Sequence, residues 1–153
     1  MDRSEIAGDD WVIPALRMKG KRDFVVPLTS AAKAILAKTL VIGEAERGPV
    51  FTADGRRPIS GFARYKADFD KACGVTGWVI HDLRRTGRTL LSRAGVDADI
   101  AERVLAHTIG GIRGVYDRHE FAAEKRTALE SLASLIERIL NPPQGNVVSL
   151  RTG

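Results

Sequence analysis

Cysteine is almost missing from this sequence: Cys73 is the single one among 153 residues. One cysteine cannot form a disulfide within the chain, and it offers no cysteine pair for a metal, so it fits a reducing cytoplasm. Cys73 itself is predicted to be a small buried apolar side chain. The composition excludes a fold that is held together by disulfides.

Long apolar runs are missing as well. The first ten residues are charged and lack the apolar core of a signal peptide, and no later segment approaches the roughly 20 apolar residues of a membrane span. We therefore expect a soluble, cytoplasmic protein with no membrane partner.

The motifs of several enzyme classes do not occur. Neither a Gly-x-Ser-x-Gly elbow nor a Gly-x4-Gly-Lys-Ser/Thr loop is present, so hydrolases and nucleoside triphosphatases lack their usual anchors. The three histidines, at positions 81, 107 and 119, match no compact zinc pattern. The sequence thus predicts neither a metal nor another cofactor.

Basic residues exceed acidic ones. The chain has 24 Lys and Arg against 19 Asp and Glu, a net charge of +5, which favours a polyanionic partner such as DNA or RNA. The length suits one domain. We assign it to residues 1–140, followed by a Pro-rich and Gly-containing tail over residues 141–153, whose Val147–Arg151 segment could add a strand to a sheet edge.

The pattern predicts an α+β fold that is mostly helical. Two β-branched runs, Trp11–Ala15 and Asp23–Leu28, flank a basic stretch and predict an antiparallel hairpin with a cationic tip. Val50-Phe51, followed by Asp54-Gly55, predicts a further brief strand and turn. The small sheet should therefore extend from Trp11 to about Phe51 and carry the basic tip toward the functional cleft.

Helix signals follow the hairpin. Thr29 or Ser30 is expected to cap a first helix that stops near Gly43, and Ser60 a second, structural helix that ends at Gly74. A third helix should run from His81 to Gly95, and Asp97 should cap a short fourth one. The expected core-facing residues of the third helix are Leu83, Leu90, Leu91 and Ala94.

The last helix, from about Ala123 to Leu140, has an apolar stripe at amphipathic spacing. The stripe comprises Leu129, Leu132, Ile136, Ile139 and Leu140. It must be buried either against its own domain or against a neighbouring copy, and the sequence leaves both options open.

One set of residues points to phosphoryl-transfer chemistry on nucleic acid. His81 and Arg84 are three residues apart on a helix, so both project from one face, where two donors can hold a phosphate. Leu105-Ala-His107 and then Tyr116 follow. Attack by the Tyr116 phenol on phosphorus requires loss of its proton and fixed donors for the developing negative charge, and Arg84 and the histidines can provide these.

From Trp11 to about Leu140 the chain resembles the catalytic domain of tyrosine recombinases, specifically phage and genomic-island integrases. The matching pieces are Trp11–Lys19 with Val25–Leu28, His81–Thr86, Leu105–His107, and Tyr116 nine positions after that histidine. The resemblance implies an integrase-like fold with its small sheet near the amino terminus.

The resemblance also implies roles and a partner. Tyr116 would be the nucleophile, Arg84 and His107 would contact the scissile phosphate, and His81 would assist proton transfer. Lys19, at the hairpin tip, would be the general acid, with neighbouring Lys21 as the alternative. Double-stranded DNA would be cut and rejoined through a 3′-phosphotyrosyl bond without ATP or metal. Copies of the protein are expected to associate on DNA through the last helix or the tail.

One family feature has no counterpart in this sequence. The resemblance implies an upstream arginine, followed by an acidic residue, ahead of the first strands, and the chain begins after that point. We expect a carboxy-terminal fragment, because the regions that clamp DNA are missing too. Loss of one phosphate donor typically costs on the order of a hundredfold in rate, so impaired activity is expected.

Each residue also has a simpler structural interpretation. Tyr116 could be a half-buried core tyrosine, His107 a helix carboxyl-terminal cap, and Arg84 the partner of Asp82 or Glu102 in a salt bridge. The basic residues Lys21, Arg85, Arg88, Arg56 and Arg57 could contact DNA phosphates or form a solvated surface. His119 is expected to be a surface bystander.

Three hypotheses from different classes follow. The first is a site-specific recombinase that forms a covalent adduct with DNA. The second is an integrase remnant that binds DNA or another protomer without cutting, with salt-sensitive binding. The third is a relaxing enzyme similar to type IB topoisomerases, which would act without sequence preference. The first is favoured as the chemistry that these residues support.

Overall fold

The hairpin predicted near the amino terminus is present in the computed structural model, which describes residues 1–39, 47–107 and 120–143. The strands and helices are β1 (Ile6–Ala7), β2 (Asp10–Ile13), β3 (Phe24–Pro27), α1 (Ser30–Ala37), α2 (Phe62–Cys73), α3 (Ile80–Arg93), α4 (Ala98–Val104) and α5 (Ala122–Leu140). Single 3₁₀ turns lie at Arg3–Glu5 and Ala15–Arg17. The predicted α+β class, mostly helical with a small antiparallel sheet, is confirmed.

The three strands form an antiparallel sheet in the order β1-β2-β3. Trp11 pairs with Val26 across β2 and β3, and with Ile6 of β1 on the other side. The two residues of β1 are too few to give a strand pattern, and the sequence analysis missed them. Between β2 and β3, the Asp23 carboxylate accepts a hydrogen bond from the Ala15 amide at 2.8 Å, which holds the base of the cationic tip.

The predicted strand at Val50-Phe51 is wrong, although the turn beside it is present. The segment makes only isolated bridges, such as Thr52 with Pro58. The Asp54 carboxylate accepts from the amides of Arg56 and Arg57 at 2.9 and 2.8 Å, so this turn is closed by a side chain and not by a ladder. Within residues 1–39, 47–107 and 120–143, the regular sheet therefore ends at β3.

The helix ends follow the expected caps with two exceptions. The Thr29 hydroxyl accepts from the Ala32 amide, the Asp97 carboxylate accepts from the amides that follow it, and α2 ends at Gly74 in the left-handed region. The prediction of Ser60 as a cap is wrong, because α2 begins after Gly61, whose φ of +77° favours glycine. The predicted stop of the first helix at Gly43 is also wrong, because α1 ends at Ala37.

The core lies where α3, α4 and α5 meet. It is built on Leu91, Ala101 and Ala128, of which Ala101 has no exposed surface. Two alanines at the contact let the three helices approach closely, since helix separation depends on the side chains between them. The partly buried residues around this centre are Val96, Ile100, Val104 and Leu132.

A buried lysine connects α5 to the sheet. The Lys125 ammonium donates to the Val25 carbonyl at 3.0 Å and lies 5.0 Å from the centre of the Phe24 ring. Burial of this ammonium lowers its pKa. The next residue, Arg126, donates to the Asp10 carboxylate at 2.7 Å. The first half of α5 is thus docked on its own chain, as one of the two sequence interpretations proposed.

Several residues expected in the core are exposed. Leu83 is 62% exposed, and the prediction that it faces the core is wrong. Cys73 is also exposed, which contradicts the buried apolar role proposed for it. Phe62 and Phe69 share the open face of α2, although the Phe69 ring makes an edge-on contact with Trp78 at 6.1 Å. The spacing of the apolar residues predicted that these helix faces are buried. Among the described residues, however, no second element covers them.

The end of α5 is open in the same way. Ile136, Ile139 and Leu140 are 38%, 49% and 69% exposed. In the part of the chain that the structure describes, no helix is long and apolar enough to cross a membrane.

A carboxylate organises the amino-terminal segment. Glu5 accepts hydrogen bonds from the Trp11 indole at 2.9 Å, from the Asp2 amide at 2.9 Å, and from the Arg17 guanidinium. Burial of the Glu5 carboxyl acts to raise its pKa, but these hydrogen bonds outweigh burial and lower the pKa to about 2. Glu5 therefore links the first turn of the chain to β2 and to the base of the hairpin tip.

Leu91→Ala should lower the free energy of unfolding by about 2 to 5 kcal/mol, because it leaves a cavity between three helices. Leu83→Ala is the matched control on the same helix, and its exposed position predicts a change within about 0.5 kcal/mol. Urea denaturation followed by circular dichroism measures both values. Equal losses in the two variants would contradict the assignment of the core.

The Glu5 contacts should make stability depend on pH. The pKa in the folded chain, about 2, lies below the ordinary value of 4.5, so the contribution is complete above about pH 5 and is lost as the pH falls toward 2. Glu5→Gln should therefore lower the unfolding free energy at pH 7 by on the order of 2 kcal/mol, with solvent screening of Arg17 included. Thermal unfolding at several pH values measures this difference, and a difference that stays constant down to pH 2 would refute the prediction.

Candidate active site

Helix α3 carries three of the predicted functional side chains on one side. His81, Arg84 and Arg88 follow each other at helical spacings of three and four residues, and they project from neighbouring positions of the helix surface. The Asp82 carboxylate accepts from the Val79 amide at 3.0 Å, and this hydrogen bond is the main reason why the pKa of Asp82 is lowered. The first turn of α3, which presents His81, is held in this way.

The carboxyl end of α4 places His107. The His107 amide donates to the Glu102 carbonyl at 3.0 Å, and the Ala106 amide donates to the Arg103 carbonyl at 3.1 Å. Ala106 has a φ of +54°, so the helix ends in a left-handed turn of the Schellman type. The backbone of His107 thus caps the carboxyl end of α4, as one sequence interpretation proposed. This cap does not use the ring of His107.

The ring of His107 contacts a carboxylate. Its Nδ1 atom forms a hydrogen bond with Oε2 of Glu102, and the other oxygen of Glu102 accepts from Nε of Arg88 at 2.7 Å. The hydrogen bond with His107, followed by that with Arg88, lowers the pKa of Glu102. Glu102 is therefore an anion that joins a residue of α3 to the end of α4.

Arg84 also reaches the end of α4. Its guanidinium donates to the carbonyl of Leu105, the residue at which α4 ends. The possible salt-bridge partners named for Arg84 are engaged elsewhere, since Asp82 pairs with Arg85 at 3.2 Å and Glu102 pairs with Arg88. Arg84 and His107, 23 positions apart in sequence, are brought to the same helix end.

The predicted general acid lies on the hairpin. Lys19 and Lys21 are both exposed at the cationic tip. Within the described ranges, the ammonium of neither lysine makes a hydrogen bond or ion pair. The choice between Lys19 and Lys21 therefore stays a prediction.

The other basic residues differ in their surroundings. The Arg85 side chain is 77% exposed, whereas Arg88 is 30% exposed and also donates to the Ser92 hydroxyl at 2.6 Å. Arg56 and Arg57 are exposed on the turn closed by Asp54. Contact of these side chains with DNA stays a prediction.

Tyr116, the predicted nucleophile, and His119 lie outside the described residues. In the described parts of the chain, no group of three His, Cys, Asp or Glu side chains is arranged to hold a metal ion.

Sequence reasoning did not identify what Glu102 does. It named Glu102 only as a possible partner of Arg84, whereas the structure pairs it with Arg88 and His107. The spacing of Glu102 and His107 at a helix end was visible, but the contact with Arg88 depends on how α3 packs on α4. No local pattern could have revealed it.

Comparisons with known proteins identify relatives. The model of the phage integrase family matches residues 1–123. The prophage integrase IntA of Escherichia coli (strain K12) is 30% identical over 142 residues, which cover 89% of this chain and 33% of that relative. The prophage integrase IntZ of the same organism is 31% identical over 136 residues, 84% of this chain and 32% of that relative.

The chain spans about a third of the length of these two relatives. No solved structure matches it significantly. The matched residues 1–123 include the hairpin, α3, α4 and the turn that follows α4. These segments contain Lys19, Arg84, Glu102 and His107. With a family model that covers most of its length and two prophage integrases at about 30% identity, this chain belongs to the phage integrase family.

Proposed function

We propose that this chain is the catalytic part of a site-specific DNA recombinase that cleaves and rejoins DNA through a 3′-phosphotyrosyl intermediate. The observation that carries the proposal is the convergence of Arg84 and His107 at the end of α4, where both side chains can face one phosphate. Membership of the phage integrase family supports the same chemistry.

Each step of the proposed reaction has a residue suited to it. The Tyr116 oxygen attacks phosphorus, His81 takes the phenol proton, and the 3′-phosphotyrosyl bond forms as the bond to the 5′-oxygen breaks. Arg84 and His107 stabilise the negative charge on the phosphorane. A lysine of the hairpin tip, Lys19 or else Lys21, gives a proton to the departing 5′-oxygen. A second 5′-hydroxyl reverses the step and joins a new strand.

The bound DNA is proposed to contact exposed basic residues of the chain. Lys21, Arg85, Arg56 and Arg57 are exposed, and their cationic side chains suit contact with phosphates. Copies of the chain are proposed to associate on DNA through the carboxy-terminal end of α5 or the tail, because the last apolar residues of α5 are exposed.

Tyr116→Phe should abolish a covalent protein–DNA adduct, since phenylalanine lacks the attacking oxygen. The assay uses a nicked duplex from the DNA that flanks the gene, which loses a short 5′-hydroxyl fragment after cleavage and so traps the adduct. Because the chain spans about a third of its relatives, it is tested beside a version extended upstream.

The outcomes of this assay separate the three functional classes. An adduct that Tyr116→Phe removes supports the recombinase, and an adduct with any supercoiled DNA, together with relaxation, supports a topoisomerase-like enzyme. DNA binding without an adduct from either the chain or the extended version would reject cleavage and leave the non-catalytic remnant.

Lys21→Ala and Arg85→Ala should each weaken binding to duplex DNA and make the slope of log K against log[KCl] less negative by about one. Fluorescence anisotropy at several salt concentrations measures the slope. Lys71→Ala, which removes an exposed charge from α2, is the matched control and should leave the slope unchanged. An unchanged slope in the first two variants would exclude contact with phosphates.

A further inference from the structure

The carboxylate of Glu102 occupies a central position among the candidate catalytic groups. Its two oxygens have different partners: Oε2 is bonded to Nδ1 of His107, and Oε1 accepts from Nε of Arg88 at 2.7 Å. Arg88 is itself anchored by Ser92 at 2.6 Å. These contacts form a chain of hydrogen bonds from α3 through α4 to the histidine.

Such a chain fixes the orientation and the tautomer of a histidine. A carboxylate accepts only, so the ring nitrogen that faces it must carry the proton. The other ring nitrogen, Nε2, is then the atom left to face a phosphate, and it donates to a phosphate oxygen in the imidazolium form, in which both ring nitrogens carry protons. A partner of this kind behind a functional histidine determines which way the ring points and which nitrogen reacts.

Arg88 shows the features of a structural support. Its side chain is less exposed than that of its neighbour Arg85, 30% against 77%, and its guanidinium is engaged by Glu102 and Ser92. A guanidinium with two fixed partners inside the protein holds the carboxylate in one rotamer, because its donors form a rigid fork. The lowered pKa of Glu102 is consistent with this support.

We propose that Glu102 is a positioning residue for His107, and that Arg88 acts through Glu102 and not through contact with DNA. The purpose of this arrangement is to present Nε2 of His107 to the scissile phosphate, and in this respect the proposal rests on the proposed function. The arrangement itself is tested without any reaction.

The first test reads the protonation of the ring directly. The protein is labelled with ¹⁵N-histidine, and His107→Gln identifies the signals of His107. In the unchanged chain, Nδ1 should be the protonated nitrogen of the neutral ring. In Glu102→Ala the ring should become a mixture of tautomers, whereas Glu130→Ala, which removes an exposed carboxylate on α5, should change nothing.

Arg88→Ala gives a second measurement that keeps Glu102 in place, and it decides the matter if Glu102→Ala does not fold. It should shift the His107 signals part of the way toward those of the mixture. Unchanged ring signals in Glu102→Ala, or in Arg88→Ala where the first variant is unfolded, would overturn the proposal even if DNA cleavage is confirmed.

The second test measures adduct formation in whichever version of the protein, the chain or the extended one, forms the adduct. Glu102→Ala should slow it by roughly 10- to 100-fold, the usual effect of losing a residue that orients a functional one. If Arg88 acts through Glu102, Arg88→Ala should slow the reaction alone but add little in the Glu102→Ala background. If the two rate reductions instead multiply in the double variant, Arg88 acts independently by touching DNA. This result would overturn the second half of the proposal.

If no adduct forms while Tyr116 is in place, or if the adduct survives Tyr116→Phe, the proposed function fails while the ring signals still test the arrangement. If an adduct forms and the ring signals do not respond to Glu102→Ala, the arrangement fails while the function stands. The two failures are therefore distinguishable.

Discussion

The close contact of α3, α4 and α5 at Leu91, Ala101 and Ala128 determines the geometry of the candidate site. Ala101 is completely buried, and the next residue, Glu102, leaves the core and meets Arg88 and His107. Packed interiors transmit small changes because they contain few voids. A larger side chain at position 101 would move α4 outward and separate the groups that Glu102 joins.

The basic side chains of the candidate site are held by contacts within the protein itself. Arg84 and Arg88 are one helical turn apart, yet Arg84 donates to a backbone carbonyl at the end of α4 and Arg88 to a carboxylate. Both interactions link α3 to α4 by charge-assisted hydrogen bonds, which are stronger than those between neutral groups. The packing of the two helices thus limits the positions of both cations.

Local signals were sufficient to predict the hairpin and most helix ends. Trp11–Ala15 and Asp23–Leu28 are short β-branched and aromatic runs on either side of a basic stretch. The caps Thr29 and Asp97 bond to amides within three positions along the chain. The expected pairing of His81 with Arg84 on one helix face depended on spacing alone. These features require no knowledge of distant residues.

The errors arose where a distant partner decides the outcome. Leu83 and Cys73 have the spacing of buried residues, but burial requires a second element, and none covers them in the described ranges. Glu102 was visible as a charged residue, but its role depends on the packing of α3 against α4. Ala106 adopts a left-handed conformation that its residue type does not favour, so its residue type did not predict the left-handed turn that places His107.

The hydrogen bond between Lys125 and Val25 spans a hundred residues of sequence. During synthesis, β3 leaves the ribosome on the order of ten seconds before the helix that covers it. Until then the Val25 carbonyl and the Phe24 ring have no helix beside them, and a hairpin alone is marginally stable in water. The sheet is therefore synthesised before α5 but is stabilised only when α5 packs on it. A nascent chain that stops short of α5 leaves the sheet accessible to chaperones and proteases.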